Sequence, residues 1–344
     1  MSAKATDYWT FFASDAKQTG SLLYSRLAQG IGEDDELKML AARARPGQPH
    51  ANMILGAVHF LLLRGTEHPL QRFYASVGGA TAVQDEDPFP DFRDFVLRHR
   101  AKLEPLIATR VTNTNEIGRS ALLHPGFRTI AAQVKAPLAL IEIGPSAGLN
   151  MIWDSYGVNY RKDGEIVATV NPKAALVIEA ELKGERLPPT SAAPEVGGRL
   201  GLELNPVNLD NADDRDWLRA LVWPDQGARR KRLDSAIALF MAHQPPIRAG
   251  DALALLPDAL AAVPRGHVTC VYHTIAVYQF SRDMKQALED ILTVAGLWRP
   301  VWRLSFEYDG ELYILSAMRY EDGVRHVQKL ASCHPHGTWL EWLE

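Results

Sequence analysis

The sequence predicts an α/β fold whose first 135 residues are helical and whose remainder builds a mostly parallel sheet. Three observations carry this reading. Up to about residue 135, apolar residues recur at helical spacing, with no sustained strand alternation. After Pro137, the short apolar run Leu138-Ala-Leu-Ile-Glu-Ile143 ends in a glycine-rich turn. From there on, strand-like and helix-like segments alternate, which is the pattern of a parallel sheet covered by helices.

In the helical part, Trp9, Phe12, Ala13 and Ala16 share a face, and Gly20 ends that run. Ser21 is placed to cap a second helix carrying Leu22, Leu23 and Leu27. Leu37, Leu40, Ala41 and Ala44 mark a third. Met53 to Leu62 form a wide apolar stripe that Gly65 is placed to terminate. A single further stripe runs from Phe92 to Ile107.

The second part, residues 136–344, reads as a Rossmann-like domain carrying a β insertion at about 155–198. Leu149 to Trp153 starts a helix after the glycine turn. Within the insertion, Val158 and Tyr160, then Ile166–Val170, then Ala174–Glu181 read as a small β-meander, with the turn signal Lys162-Asp163-Gly164 between the first two. Strands follow at Arg199–Leu204 and His267–Tyr272. Helices are expected at Asp213–Leu221, Lys231–His243 and Ser281–Ala295, with Ser281 as a cap. The crowded strands Val301–Phe306, Leu312–Met318 and Val324–Leu330 predict an antiparallel edge.

Composition narrows the function. The 344 residues are 47% hydrophobic, enough for a sizeable core, and at roughly 100–200 residues per domain they make two domains or one with a large extension. A net charge of −4 without a basic stripe argues against nucleic acid as a partner. The run Arg229-Arg-Lys-Arg232 reads as a solvated helix face. Two cysteines, Cys270 and Cys333, make no disulfide framework, and the start lacks a leader pattern, so a cytoplasmic location is expected. No membrane partner is expected, since the longest apolar candidate, Met53–Leu63, is short and interrupted by His59.

The chemistry concentrates in Glu142-x-Gly144-x-Ser146-x-Gly148. A cofactor lying across a strand end needs close backbone approach, which glycine permits, and a following helix would turn its N-terminus to the ligand. Glu203, at the end of the next core strand, is placed to accept ribose hydroxyls, or is a surface acid. Asp251 either accepts an adenine amine or caps a helix. Asn115, Glu116 and Arg119 form a polar segment between helices, suited to hold a small-molecule substrate or to make a capping box and an ion pair. His273 follows a buried strand, where it is a general base or a satisfied core histidine. Trp223-Pro224-Asp225 is a substrate wall or loop packing, with the second preferred.

Four segments together, Thr114-Asn-Glu-Ile-Gly-Arg119, Glu142–Asp154, Leu202–Val207 and Leu221–Gln226, resemble the bacterial domain-of-unknown-function family 2332 over nearly the whole chain. That resemblance implies an identity and no activity. The glycine loop is also similar to the first motif of S-adenosylmethionine-dependent methyltransferases, over about residues 136–320. This second resemblance implies S-adenosylmethionine as cofactor, with contacts at Gly144, Ser146 and Gly148, Glu203 on the ribose and Asp251 near the adenine. The long insertion after the first motif departs from that pattern.

Two other functions compete. Gly144-Pro-Ser146-Ala-Gly148 also matches the nucleophile elbow of α/β-hydrolases, with Asp251 or Asp258 and then His273 or His334 in the expected order. Against an esterase, everything before the motif is helical. The remaining reading is a non-catalytic protein that binds a nucleotide or a partner. Cys333-His334-Pro-His336, with His326, matches none of the strong zinc spacings, and no metal is expected.

Overall fold

The computed structural model describes residues 7–78, 86–191 and 193–344. Residues 1–6 and 79–85 of the predicted helical region, and residue 192 of the predicted insertion, lie outside the described residues. In chain order the elements begin with α1 (Tyr8–Gln18), α2 (Leu22–Glu33), α3 (Asp35–Ala41), α4 (His50–Leu63), α5 (Phe89–Arg98) and α6 (Arg100–Thr109). Next come α7 (Ser120–Ala131), β1 (Leu138–Ile143), β2 (Gly157–Lys162), β3 (Glu165–Val170), β4 (Val177–Lys183) and β5 (Val196–Glu203). They are followed by α8 (Ala212–Ala220), α9 (Gly227–His243), β6 (Ile247–Ala249), α10 (Ala252–Ala261), β7 (Val268–Thr274) and α11 (Arg282–Gly296). The chain ends with β8 (Val301–Tyr308), β9 (Tyr313–Glu321), β10 (Val324–Cys333) and β11 (Trp339–Trp342). None of the described helices is long and apolar enough to cross a membrane.

The chain divides into two compact units: residues 1–114 with 208–231, and residues 115–207 with 232–344. The first unit is helical. Gly20 and Gly65 take left-handed φ values of +88° and +82° just past α1 and α4, where a side chain would be strained. Ser21 Oγ accepts the Tyr24 N–H at the start of α2. The predicted stripe from Phe92 to Ile107 is two helices, α5 and α6, separated at His99. At the centre lies α4, buried around nearly its whole circumference, which is why its apolar residues show no narrow face. Its buried imidazole, His59, is satisfied on both nitrogens, by the Ala220 carbonyl at 2.8 Å and Ser76 Oγ at 2.7 Å. Burial lowers its pKa to about 4, so the ring is neutral. Segment 208–231 joins this core through Trp217, Ala220 and Leu221. The Trp217 indole N–H also donates to the Val111 carbonyl at 2.8 Å.

The second unit is built on one eleven-stranded mixed sheet in the order β3-β2-β4-β11-β10-β9-β8-β7-β1-β5-β6. Strands β8, β7, β1, β5 and β6 run parallel. The chain leaves β1 toward β5 and β6 on one side, then returns to β7 and β8 on the other, so strand order reverses at β1. Strands β9, β10 and β11 continue antiparallel from β8.

Two expectations need correction. The insertion is not a meander: β2 pairs antiparallel with β3 and parallel with β4. Nor do the final strands form an edge, because β4 pairs parallel with β11 and extends the sheet beyond them. The segment read as an insertion is therefore the outer part of the main sheet, held there by three paired positions, Trp339–Glu341 against Glu181–Lys183.

Successive strand residues point to opposite faces, and this alternation sorts the site. Ile141, Ile143, Leu202, Val271 and Val301 face α10 and α11, packing on Leu256, Leu260, Leu288 and Leu292. Glu142 and Tyr272 face the other way, toward α7. There Phe127 stacks on Trp153 at 4.8 Å and meets Tyr272 edge-on at 5.2 Å. Such aromatic pairs add about 0.5–1.5 kcal/mol beyond their buried area.

At its C-terminal end, α11 lies on β9 through Gly296, where a Cβ would stand 2.9 Å from the Tyr320 carbonyl carbon and oxygen. Backbone cannot swing aside as a side-chain tip can. Gly296→Ala is therefore expected to destabilise the chain by about 1–3 kcal/mol, despite alanine's better helix propensity. Urea denaturation checks this; an unchanged or raised midpoint contradicts the packing described.

Candidate functional site

Glu203 ends β5, and its carboxylate bridges two turns. Oε2 accepts the Ser146 N–H at 2.8 Å and Oε1 accepts the Asn205 N–H at 2.9 Å. This ties the loop after β1 to the end of the neighbouring strand. Ser146 takes φ +57°, unusual for a residue with a Cβ, between Gly144 at +70° and Gly148 at +81°. Three left-handed residues in five give the chain its sharp turn away from the sheet.

Besides Ser146, three amides of the loop are spent within the protein. Gly144 N–H donates to the Leu202 carbonyl, Gly148 N–H to the Pro145 carbonyl, and Leu149 N–H to Asn115 Oδ1. A Cβ added at Gly144 would stand 2.8 Å from the Ala276 Cβ, and one at Gly148 2.8 and 2.9 Å from Phe240 and Ile247. On that side the protein's own side chains pack close to both glycines. The expected helix after the loop is also absent. Residues Leu149–Ser155 form a seven-residue 3₁₀ segment kinked at Ile152, with no extended helix N-terminus to receive an anion.

Around the loop stand three carboxyl groups, those of Glu142, Glu203 and Asp251, and the Ser146 hydroxyl. Glu142 is buried in β1 and accepts the Tyr272 hydroxyl at 2.8 Å. Burial, reinforced by the nearby Glu203 charge, raises its pKa to about 8, against the Tyr272 hydrogen bond and the charge of Arg119. Ser146 Oγ is buried and has no hydrogen-bond partner. Asp251 is exposed after β6 and caps α10 by accepting the Leu253 N–H at 2.8 Å.

The segment Asn115–Arg119 packs on the loop and is largely engaged in holding it. Besides the Asn115–Leu149 bond, the Glu116 carbonyl accepts Asn150 Nδ2 at 3.3 Å, and Glu116 Oε1 accepts the Gly118 N–H at 3.1 Å. Glu116 Oε2 lies 3.3 Å from His336 Nδ1. Arg119 donates to the carbonyls of Thr274 and Pro335, at 2.8 and 2.9 Å. The structure thus gathers Asn115, Glu116, Arg119, Glu142, Ser146 and Glu203 around one turn, with Asp251 following the next strand.

His273 belongs elsewhere, because strand alternation turns it to the α11 face. Its Nδ1 donates to Glu307 Oε1 at 2.7 Å, and its Nε2 accepts from Arg303 Nε at 2.9 Å. Both nitrogens are engaged and the ring is fully buried, so it presents no free base. Burial and the Arg303 charge lower its pKa, keeping it neutral. The sequence reading missed Glu307, which also accepts the N–H groups of Ala276 and Val277 at 2.9 Å and of Tyr278 at 3.1 Å. An acid directly after the apolar run ending at Phe306 was the available signal. Cys333 and Cys270 are free and buried. Among the described residues no group of three His, Cys, Asp or Glu side chains is arranged to hold a metal.

Glu142 gives a test through stability. Its native pKa of about 8 exceeds the ordinary 4.5, so the folded protein binds an extra proton between those values. Stability is then greatest below pH 4.5 as far as this group is concerned, and falls as pH rises through 8. The slope approaches about 1.4 kcal/mol per pH unit for one proton. Glu142→Gln, which keeps an acceptor for Tyr272, is expected to remove that fall. Urea denaturation of both proteins across this range checks it; parallel pH profiles contradict it.

A search of the curated proteins finds no match. The family model described as "Uncharacterized protein conserved in bacteria (DUF2332)" matches residues 7–342, almost the full length, in line with the four segments quoted from the sequence. The chain therefore belongs to the DUF2332 family.

Proposed function

We propose that this protein binds S-adenosylmethionine over the carboxyl ends of β1, β5 and β6 and transfers its methyl group to a small-molecule acceptor. The observation that carries the proposal is the chemical bias of this strand-end cluster. Four loop donors, the amides of Gly144, Ser146, Gly148 and Leu149, are consumed internally, while Glu142, Glu203 and Asp251 offer acceptors and the unpartnered Ser146 hydroxyl can serve as either. Such a donor set disfavours phosphate and suits a cationic ligand bearing an amine, a ribose diol and an exocyclic adenine amine. The parallel order β6-β5-β1-β7-β8 supports a Rossmann-like, methyltransferase-type reading, since α/β sheets bind ligands where strand order reverses.

In this reading Glu203 accepts the ribose hydroxyls with the lone pairs its two backbone bonds leave over. Asp251 receives the adenine amine while its other oxygen caps α10. Glu142, uncharged at neutral pH without ligand, gives up its proton when a cationic group approaches. The bound cofactor supplies an electrophilic methyl group on a sulfonium. The chain's share is then to orient the reactants, which is worth several orders of magnitude in rate.

The esterase reading has less support. Ser146 has the left-handed φ of an elbow, but its Oγ carries no hydrogen bond and His273 has no free nitrogen.

Calorimetric titration with S-adenosylmethionine, its demethylated product and NAD tests the proposal. Saturable binding of the first two and none of NAD is expected. Asp251→Asn, which preserves the helix cap, is expected to weaken S-adenosylmethionine about tenfold. Absence of binding, or preference for NAD, refutes the reading. Binding without turnover on a broad acceptor panel supports a non-catalytic nucleotide binder instead.

A further inference from the structure

A second cleft opens at the carboxyl ends of β7 and β8, on the face that carries α11. Its volume is about 810 Å³, and its walls include Tyr278, Tyr308, Tyr313, Arg282 and Lys285. Ligand cavities of small molecules commonly measure roughly 300–1,000 Å³. The turn at its base is held open by Glu307, whose carboxylate takes three consecutive N–H groups, those of Ala276, Val277 and Tyr278. This turn contains Ile275 at φ +53°, a β-branched residue in the left-handed region.

The charges of this cleft do not cancel locally. Burial pushes the Glu307 carboxyl up, but the bonds from His273 and from the Ala276 and Val277 amides outweigh it and hold it ionised. Those same bonds occupy it. Glu289 is engaged by Arg303, Arg325 and Tyr320. Both acids are therefore committed. Arg282 and Lys285, three positions apart on α11 and so on one helix face, have no acidic partner among the described residues. Arg303 pairs with Glu289, and Glu307 is bonded to a neutral imidazole and three amides, so with Arg282 and Lys285 the lining carries an excess of positive charge.

The walls supply the other half of the recognition. Tyr308 and Tyr313 form a tilted ring pair with centroids 5.2 Å apart, and Tyr278 stands across the turn with 58% of its surface exposed. Tyrosine presents a flat apolar face at low entropic cost. Exposed tyrosine faces beside unpaired cations match a planar ring carrying a negative group.

We propose that this cleft is a binding site for small aromatic anions, the anionic group on Arg282 and Lys285 and the ring against the tyrosines. The site stands on the α11 face, whereas Glu142 and Tyr272 lie on the other, and the proposal holds whether or not the glycine loop takes an adenosyl cofactor.

Titration by saturation-transfer NMR, with no cofactor present, tests it using benzoate, phenyl phosphate, benzyl alcohol and inorganic phosphate. Benzoate and phenyl phosphate are expected to bind saturably, and the neutral alcohol and inorganic phosphate at least about tenfold more weakly. Binding of both aryl anions is expected to fall by at least about tenfold in Arg282→Ala/Lys285→Ala. Tyr278→Ala is expected to weaken them, and Tyr278→Phe to leave them unchanged. All these side chains are exposed, and thermal melts confirm that the variants fold. Failure of both aryl anions to bind overturns the proposal, as does binding that the double variant leaves intact. Inorganic phosphate binding as tightly as phenyl phosphate overturns the aromatic half.

Discussion

The carboxylate of Glu203 is the constraint on which the second unit's site depends. One oxygen holds the Ser146 amide and the other holds the Asn205 amide, so the ends of β1 and β5 are fixed to each other. With the loop pinned, Ser146 stays left-handed although it carries a Cβ, and its hydroxyl is left buried without a partner. Hydrogen bonds from backbone amides to an ionised acid are roughly twice as strong as neutral ones. That is the scale needed to offset about 1–3 kcal/mol of backbone strain.

The same device recurs at the end of β8. There Glu307 takes three amides of the turn after β7 and holds Ile275 in the left-handed region. In both places an acid ending one strand captures the turn that leaves its neighbour. The two clamps have different consequences because they lie on different faces. Around Glu203 stand the carboxyls of Glu142 and Asp251 and the unpartnered Ser146 hydroxyl; around Glu307 stand the cations Arg282 and Lys285. One rule of construction thus fixes two turns at the carboxyl edge of the sheet, and the cleft lined by Arg282 and Lys285 opens beside the second.

Much of this architecture was legible in the sequence. The buried strands at Leu138, His267 and Val301 announce themselves as short apolar runs, and Ser21 and Ser281 cap helices as their positions predict. What was not legible is long-range pairing. Three residues, Ile247–Ala249, suffice to make β6, too few for any periodicity to register. Nothing near Val177 says that it will pair with Gly157 in parallel, or that Glu181 will meet Trp339. Glycines at 144 and 148 read as places of close approach, and the sequence does not announce that the space their missing Cβ atoms leave lies against Ala276 at the first and Phe240 at the second. His273 was placed at the correct strand end, but the alternation of β7 turns it away from Glu142, and only the facing partners, Arg303 and Glu307, reveal that.

The central claim is that the carboxyl ends of β1, β5 and β6 form an acceptor-rich seat for an adenosyl ligand. A crystal structure grown with S-adenosylhomocysteine examines this directly. The account predicts ligand density over β1 with the ribose on Glu203 and the adenine amine at Asp251. Density at another place, or a Glu203 side chain still bridging Ser146 and Asn205 with no ligand beside it at saturating concentration, contradicts it.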